Sequence, residues 1–209
     1  MSNQYTKSFV RVHDIIKGSE AFRRHEPRGA MYKVATFLIK NFWGSPAEMA
    51  DALGVLLLTW NQALYRYGAF DFARLERVLD RRMAYLTELK AREIASLTDA
   101  DIPAVEELFA CFLDALRIAD GNLKGRRSPV AVAKALHLLA PHFFPLWDDK
   151  IAKAYKCRYG KNPAATYVGF MRLMKSIAAG LQGNTRTDGS SILKLIDEYN
   201  YAKFTKKWI

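Results

Sequence analysis

The chain is poor in the residues that build metal centres and disulfide frameworks. Its two cysteines, Cys111 and Cys157, stand apart without CxxC spacing, and His13, His25, His137 and His142 supply no Cys/His cluster. A zinc site needs such a cluster, so no metal is expected, and the lone thiols read as reduced residues of an intracellular protein. No apolar run of about 18 residues occurs. The opening MSNQYTKSF also lacks the apolar core of a secretion signal. The expectation is a soluble cytoplasmic protein without a membrane partner, nucleoid-associated if its host is prokaryotic. Alternating strand patterns, internal repeats and low-complexity tracts are missing as well.

What is present is helical periodicity and positive charge. Apolar residues recur at three and four positions in Met31–Phe42, Met49–Leu64, Phe72–Leu89, Val105–Ile118, Val130–Leu139, Tyr167–Leu181 and Ile192–Tyr201. Ser45-Pro46, Ile102-Pro103 and Ser128-Pro129 place proline in the first turn of three helices, and Gly44, Gly68, Gly121 and Gly160 follow periodic runs. Residues 182–191 (QGNTRTDGSS) read as a loop. At 209 residues the chain can bury a real core. The expected class is all-α, with roughly eight to ten helices. Residues 47–120 form one helical lobe on this reading. Residues 1–46 pack with the C-terminal part, 121–209, to complete a single globular unit.

The net charge is +11 and it is segregated. Residues 47–116 hold 7 Lys/Arg against 12 Asp/Glu, whereas residues 117–161 hold 10 against 3. Basic charge concentrated on one internal segment and both ends is the footprint of a polyanion-binding protein. A nucleic acid is the expected partner, with DNA and RNA both open at this point.

Three motifs carry chemistry. In "LKGRRSP", a tight turn enters a helix, where backbone N–H groups and the dipole favour a phosphate. Lys124, Gly125, Arg126, Arg127 and Ser128 are its candidate anchors; a solvated turn with Ser128 as N-cap is the plainer alternative. In "FFPLWDDKIAKAY", Pro145 ends one helix and Asp148 or Asp149 caps the next. Capping needs no further purpose, yet a capping carboxylate that faces a cleft can also stabilise positive charge at a sugar C1′ and orient a water. In "LGVLLLTWNQALYRYG", an apolar helix ends in Asn61-Gln62 and aromatics. Such an end suits the hole left by an unstacked base, or simply meets solvent.

Together these elements resemble the helix-hairpin-helix DNA glycosylase superfamily. "LLLTWNQA" looks like the family's helix ending in a short polar motif, and "LKGRRSPVAVAKALHLL" like its glycine hairpin and following helix. "FPLWDDKIAKAY" is similar to its proline-preceded aspartate opening an apolar-stepped helix. With Gly125 as the first hairpin glycine, Asp148 falls 23 residues on, a separation familiar from the family. That favours Asp148 over Asp149. The likeness spans roughly residues 50–160 and departs at two points. Arg127 replaces the second hairpin glycine, and Pro129 stands where bifunctional members carry a Schiff-base lysine. Lys134 comes about 1.4 helical turns later, so it is expected to point elsewhere. Iron–sulfur cysteines have no counterpart.

The resemblance implies a two-lobed helical fold and a monofunctional base-excision enzyme that needs no cofactor. It would flip a damaged or modified base and hydrolyse its N-glycosidic bond. Double-stranded DNA would be its partner, Asp148 the catalytic residue as electrostatic stabiliser and water-orienting group, and Asn61 and Gln62 would fill or probe the vacated duplex position. Trp60, Tyr65, His137 and Trp147 are the candidate pocket walls. The alternative is a non-catalytic DNA- or RNA-binding protein on the same scaffold. An unrelated helical fold or a protein-interaction role completes the range.

Overall fold

A computed structural model describes residues 10–181 and 191–209. The expected loop at 182–191 therefore lies outside the described residues except for Ser191. Ten α-helices follow in order among them: α1 (Val12–His25), α2 (Ala30–Asn41), α3 (Pro46–Trp60), α4 (Gln62–Tyr65), α5 (Phe72–Lys90), α6 (Ile102–Ala115), α7 (Pro129–Leu139), α8 (Asp149–Ala154), α9 (Pro163–Ala179) and α10 (Ile192–Asn200). Two 3₁₀ turns, Ile94–Ser96 and Asp99–Asp101, precede α6, and a π-helical turn, Tyr201–Lys206, continues α10. No strand occurs among the described residues; Phe70 and Ile118 form one isolated bridge. The molecule is all-helical. None of these helices is long and apolar enough to cross a membrane.

Local chemistry explains most boundaries. Proline sits in the first turn of α3, α6, α7 and α9, where its missing N–H has no helical partner to lose. Asp71, Ser128, Asp148, Asn162 and Ser191 each accept a hydrogen bond from the backbone N–H three residues on. Each such cap satisfies one of the orphan donors at a helix start. The expected single helix over Met49–Leu64 is instead two. Asn61 leaves helical geometry (φ −119°, ψ 36°), and the chain restarts as α4. Four elements lacked a periodic signal in the sequence: α1, the two 3₁₀ turns and the π turn.

The core is continuous. Helix α7 buries Ala131, Val132, Ala133, Ala135, Leu136, His137, Leu138 and Leu139, so it is enclosed on nearly every side. Helix α6 lays Phe109 and Phe112 beside it. The connection between α7 and α8 drives Trp147 into the same interior, 1% exposed, against Phe109, Tyr159, Tyr167 and Phe170. Helix α1 packs along α10 and touches the π turn, and α2 lies against α3 and α7. The first and last described segments of the chain therefore pack against each other.

Helices α1 and α10 meet at Gly18. A Cβ built there would stand 2.7 Å from Cδ2 and 2.9 Å from the backbone Cα of Tyr199, itself fully buried. Backbone cannot swing aside as a flexible side-chain tip can, so the close approach requires glycine. Gly169 in α9 has no atom within 4 Å of such a Cβ and lies in ordinary helix. Urea denaturation should find Gly18→Ala less stable by about 1–3 kcal/mol. Gly169→Ala should be more stable by up to about 1 kcal/mol. Equal effects of the two substitutions would contradict this packing.

Candidate functional site

The sequence-expected residues fall into three settings. Trp60, Asn61 and Ser128 come together beside Lys134, a residue expected to point elsewhere than the Schiff-base position, and the charge of Asp148 acts on that lysine. From the middle of α7, Lys134 Nζ donates to the carbonyl of Trp60 and to Oδ1 of Asn61, each at 2.8 Å. It lies 5.7 Å from the Trp60 ring centroid. Asn61 is buried, and its amide Nδ2 lies 3.4 Å from Oγ of Ser128. The helix break at Asn61 thus serves the lysine: leaving the α3 ladder brings the Trp60 carbonyl and the Asn61 side chain to one ammonium group. The flexible four-carbon stem of lysine spans the gap, which backbone spacing alone does not reveal.

Lys134 is mostly desolvated, and burial pulls its pKa down to about 8; the charges of Asp148 and Asp197 push the other way. Asp148 is half-buried at the N-cap of α8. Its Oδ1 accepts from the Ile151 N–H at 2.7 Å, and its Oδ2 accepts from the Thr205 hydroxyl at 3.0 Å. The same turn is tied down again by Lys150, whose Nζ donates to the Thr205 carbonyl at 2.9 Å. Capping and a fixed carboxylate orientation therefore coexist in Asp148. Asp149 is exposed in the first turn of α8.

A second setting is the core. His137 is fully buried; its Nδ1 lies 2.7 Å from the Phe144 carbonyl, and its Nε2 lies 3.0 Å from the Tyr32 hydroxyl. A carbonyl only accepts, so Nδ1 carries the proton and Nε2 accepts from Tyr32. Burial lowers the His137 pKa to about 4, which keeps the ring neutral. Trp147 is equally enclosed, and Tyr65 donates from a buried hydroxyl to the Leu116 carbonyl at 2.9 Å. Burial raises the Tyr65 phenol. His137 and Trp147 are thus packed inside rather than lining an open pocket, Tyr65 is buried beneath a surface depression, and Trp60 stays half-exposed.

The third setting is the surface. Gln62 is exposed and lines a shallow depression with Leu58, Tyr65 and Arg66. Lys124, Gly125, Arg126 and Arg127 are exposed on the turn before α7. Their amides, expected to cradle a phosphate, are largely turned inward. Lys124 N–H donates to Gly121 O, Gly125 N–H to Ile118 O and Arg126 N–H to Leu123 O. The Ser128 hydroxyl accepts from Ala131 N–H at 3.1 Å, and Pro129 has no donor. What this turn offers an anion is side-chain charge, with Arg127 shared by Asp114 at 3.3 Å.

Set against protein-family models, curated proteins and solved structures, the chain finds no match in any of the three. The site is therefore read from its own chemistry.

Several of its members escaped sequence reasoning. Tyr32, Asp197 and Thr205 approach Lys134, His137 and Asp148 across long chain separations, and no local spacing marks them. No cluster of three or more His, Cys, Asp or Glu able to hold a metal occurs among the described residues. What remains is a semi-buried ammonium group held by neutral acceptors, with a fixed carboxylate in its field.

That coupling is directly measurable. An NMR titration of the Lys134 amine should show a midpoint near 8, well below the ordinary lysine value of about 10.4. Asp148→Asn should lower it further, because removing a nearby negative charge disfavours the ammonium form. An ordinary midpoint, or one indifferent to Asp148, would contradict the arrangement.

Proposed function

We propose that this protein binds double-stranded DNA through its basic segment and hydrolyses the N-glycosidic bond of a damaged or modified base after flipping it from the duplex. The observation that carries the reading is Asp148: a half-buried carboxylate held by a backbone N–H and the Thr205 hydroxyl, within the field of Lys134. A negative group fixed before reaction stabilises charge that develops at a sugar without reorganising at that moment. In this path the C1′–N bond breaks and the base leaves with its electron pair. Asp148 stabilises the cationic C1′, water adds there, and the carboxylate takes up the water's proton. The lobe of residues 47–120 and the remainder of the chain would close on the DNA between them. Lys124, Arg126 and Arg127 contribute phosphate attraction through side-chain charge.

Hydrolysis rather than strand cleavage through a lysine imine is favoured by the setting of Lys134. Two of its three donors are committed to Trp60 and Asn61, and a pKa of about 8 leaves it largely protonated at neutral pH. A non-catalytic nucleic-acid-binding protein on the same scaffold is the second reading. The observation in its favour is that both Asp148 oxygens are already hydrogen-bonded within the protein.

Duplexes carrying a panel of modified bases, treated with alkali after incubation, separate the readings by revealing abasic sites. Asparagine caps helices as well as aspartate does, so Asp148→Asn should fold normally and release base at least about 100-fold more slowly. Borohydride should trap no covalent adduct. Undiminished release by the variant would remove Asp148 from the mechanism. Duplex binding without release from any substrate would establish the non-catalytic reading.

A further inference from the structure

The π turn that supplies Thr205 to Asp148 leads directly to a second aromatic and basic surface. Trp208 follows Lys207, whose backbone is left-handed (φ 58°, ψ 45°), a conformation that costs a non-glycine residue roughly 1 kcal/mol. The conformation is held by what comes after it: the Trp208 N–H donates to the Ala202 carbonyl at 2.8 Å. The indole then stacks on His25 with centroids 4.2 Å apart and planes 19° from parallel. Tyr201 meets it edge-on at 5.8 Å, and Phe22 lies at 6.4 Å. Lys206 Nζ stands 5.7 Å from the Tyr201 ring and 6.0 Å from the Trp208 ring. His25 is exposed, so the stack ends at solvent rather than in the core.

Charge surrounds the stack. Arg24, Arg28, Lys203, Lys206 and Lys207 are exposed on the last turn of α1, the segment after it and the chain end; Glu26 is the acid among them. Rigid aromatic planes interleaved with cations match the requirements of an unpaired nucleic-acid strand. Its bases have free π faces to stack, and its backbone carries one phosphate per nucleotide. A duplex presents phosphates but keeps its base faces covered. A lipid surface calls for projecting apolar side chains, whereas the indole here is already packed by Phe22, His25 and Tyr201.

We propose that the Trp208–His25 stack and Lys206 and Lys207 form a second nucleic-acid contact that takes the bases of an unpaired strand beside the Asp148 site. It rests on the nucleic-acid reading above, but not on catalysis. The link between the two is Thr205, which donates to Asp148 and stands three residues before Trp208 in the chain.

Fluorescence anisotropy with a labelled oligothymidine and with a duplex of equal length tests the proposal on the full chain. Trp208→Ala and His25→Ala should each weaken single-strand binding by about 5- to 100-fold, with duplex affinity within about two-fold of wild type. Trp208→Phe should retain most of the affinity. The exposed pair Lys206→Glu with Lys207→Glu guards against misfolding of the tryptophan variant; it should flatten the salt dependence of single-strand binding by roughly one to two units of slope. Unchanged single-strand affinity in the alanine variants, or equal loss for duplex and single strand, would overturn the proposal. So would wild-type protein that sediments with phosphatidylglycerol vesicles and ignores oligothymidine. Failure of base release alongside selective loss in Trp208→Ala would sink the enzymatic reading and leave this contact standing. Base release with no Trp208 dependence of single-strand binding would do the reverse.

Discussion

A lysine carried into the interior on the central helix organises the region around Asp148. Lys134 projects from α7 and reaches the broken end of α3, where the Trp60 carbonyl and the Asn61 amide oxygen receive it. An ammonium group so far from water is costly unless it is hydrogen-bonded and near opposite charge. Both conditions are met, by neutral oxygens at 2.8 Å and by the fields of Asp148 and Asp197. Several local features follow from that requirement. The helix break at Asn61, the approach of Ser128 to the Asn61 amide and the location of Asp148 all belong to one polar knot in an otherwise apolar interior.

The knot also joins distant parts of the chain. Asp148 is held by Thr205 of the π turn, and that turn packs on α1 and α8. One turn along α7 from Lys134, Tyr32 of α2 donates to His137, whose other nitrogen donates to the Phe144 carbonyl. One polar bridge thus ties α2 to α7, and the other ties the π turn to the start of α8. A carboxylate so fixed suits electrostatic stabilisation of a developing cation better than a free surface acid does, since its orientation does not have to be found during reaction. The basic turn at Lys124–Arg127, and His25, Lys206 and Lys207 around Trp208, lie outside the knot and are exposed.

Much of the fold was legible because it follows from local rules. Prolines at helix starts, serine and aspartate caps and three-four apolar spacing located most helices within a few residues. The cap at Asp148 was legible too, since a proline-ended segment followed by an acid and an apolar-stepped helix is a local pattern. The partners of Lys134 were not legible, because backbone angle predicts where a side chain leaves the helix, not where a flexible stem ends. His137 and Trp147 looked like pocket walls because aromatic and polar character is the same in a core as in a cleft. Only burial and partners separate the two. The Tyr32–His137 and Thr205–Asp148 bonds join residues far apart in sequence, which no spacing rule connects. Helix α1 escaped because its buried face is made partly of Gly18, Ser19 and Ala21, residues with a weak hydrophobic signal.

The account turns on Lys134 acting as the joint between the end of α3 and the helix that carries the core. A double-mutant cycle between Asn61→Ala and Lys134→Met, read by urea denaturation at neutral pH, measures that joint without any assumption about substrate. Contact through a buried charged hydrogen bond predicts a coupling of about 1–3 kcal/mol. Strict additivity, with coupling below about 0.3 kcal/mol, would contradict it.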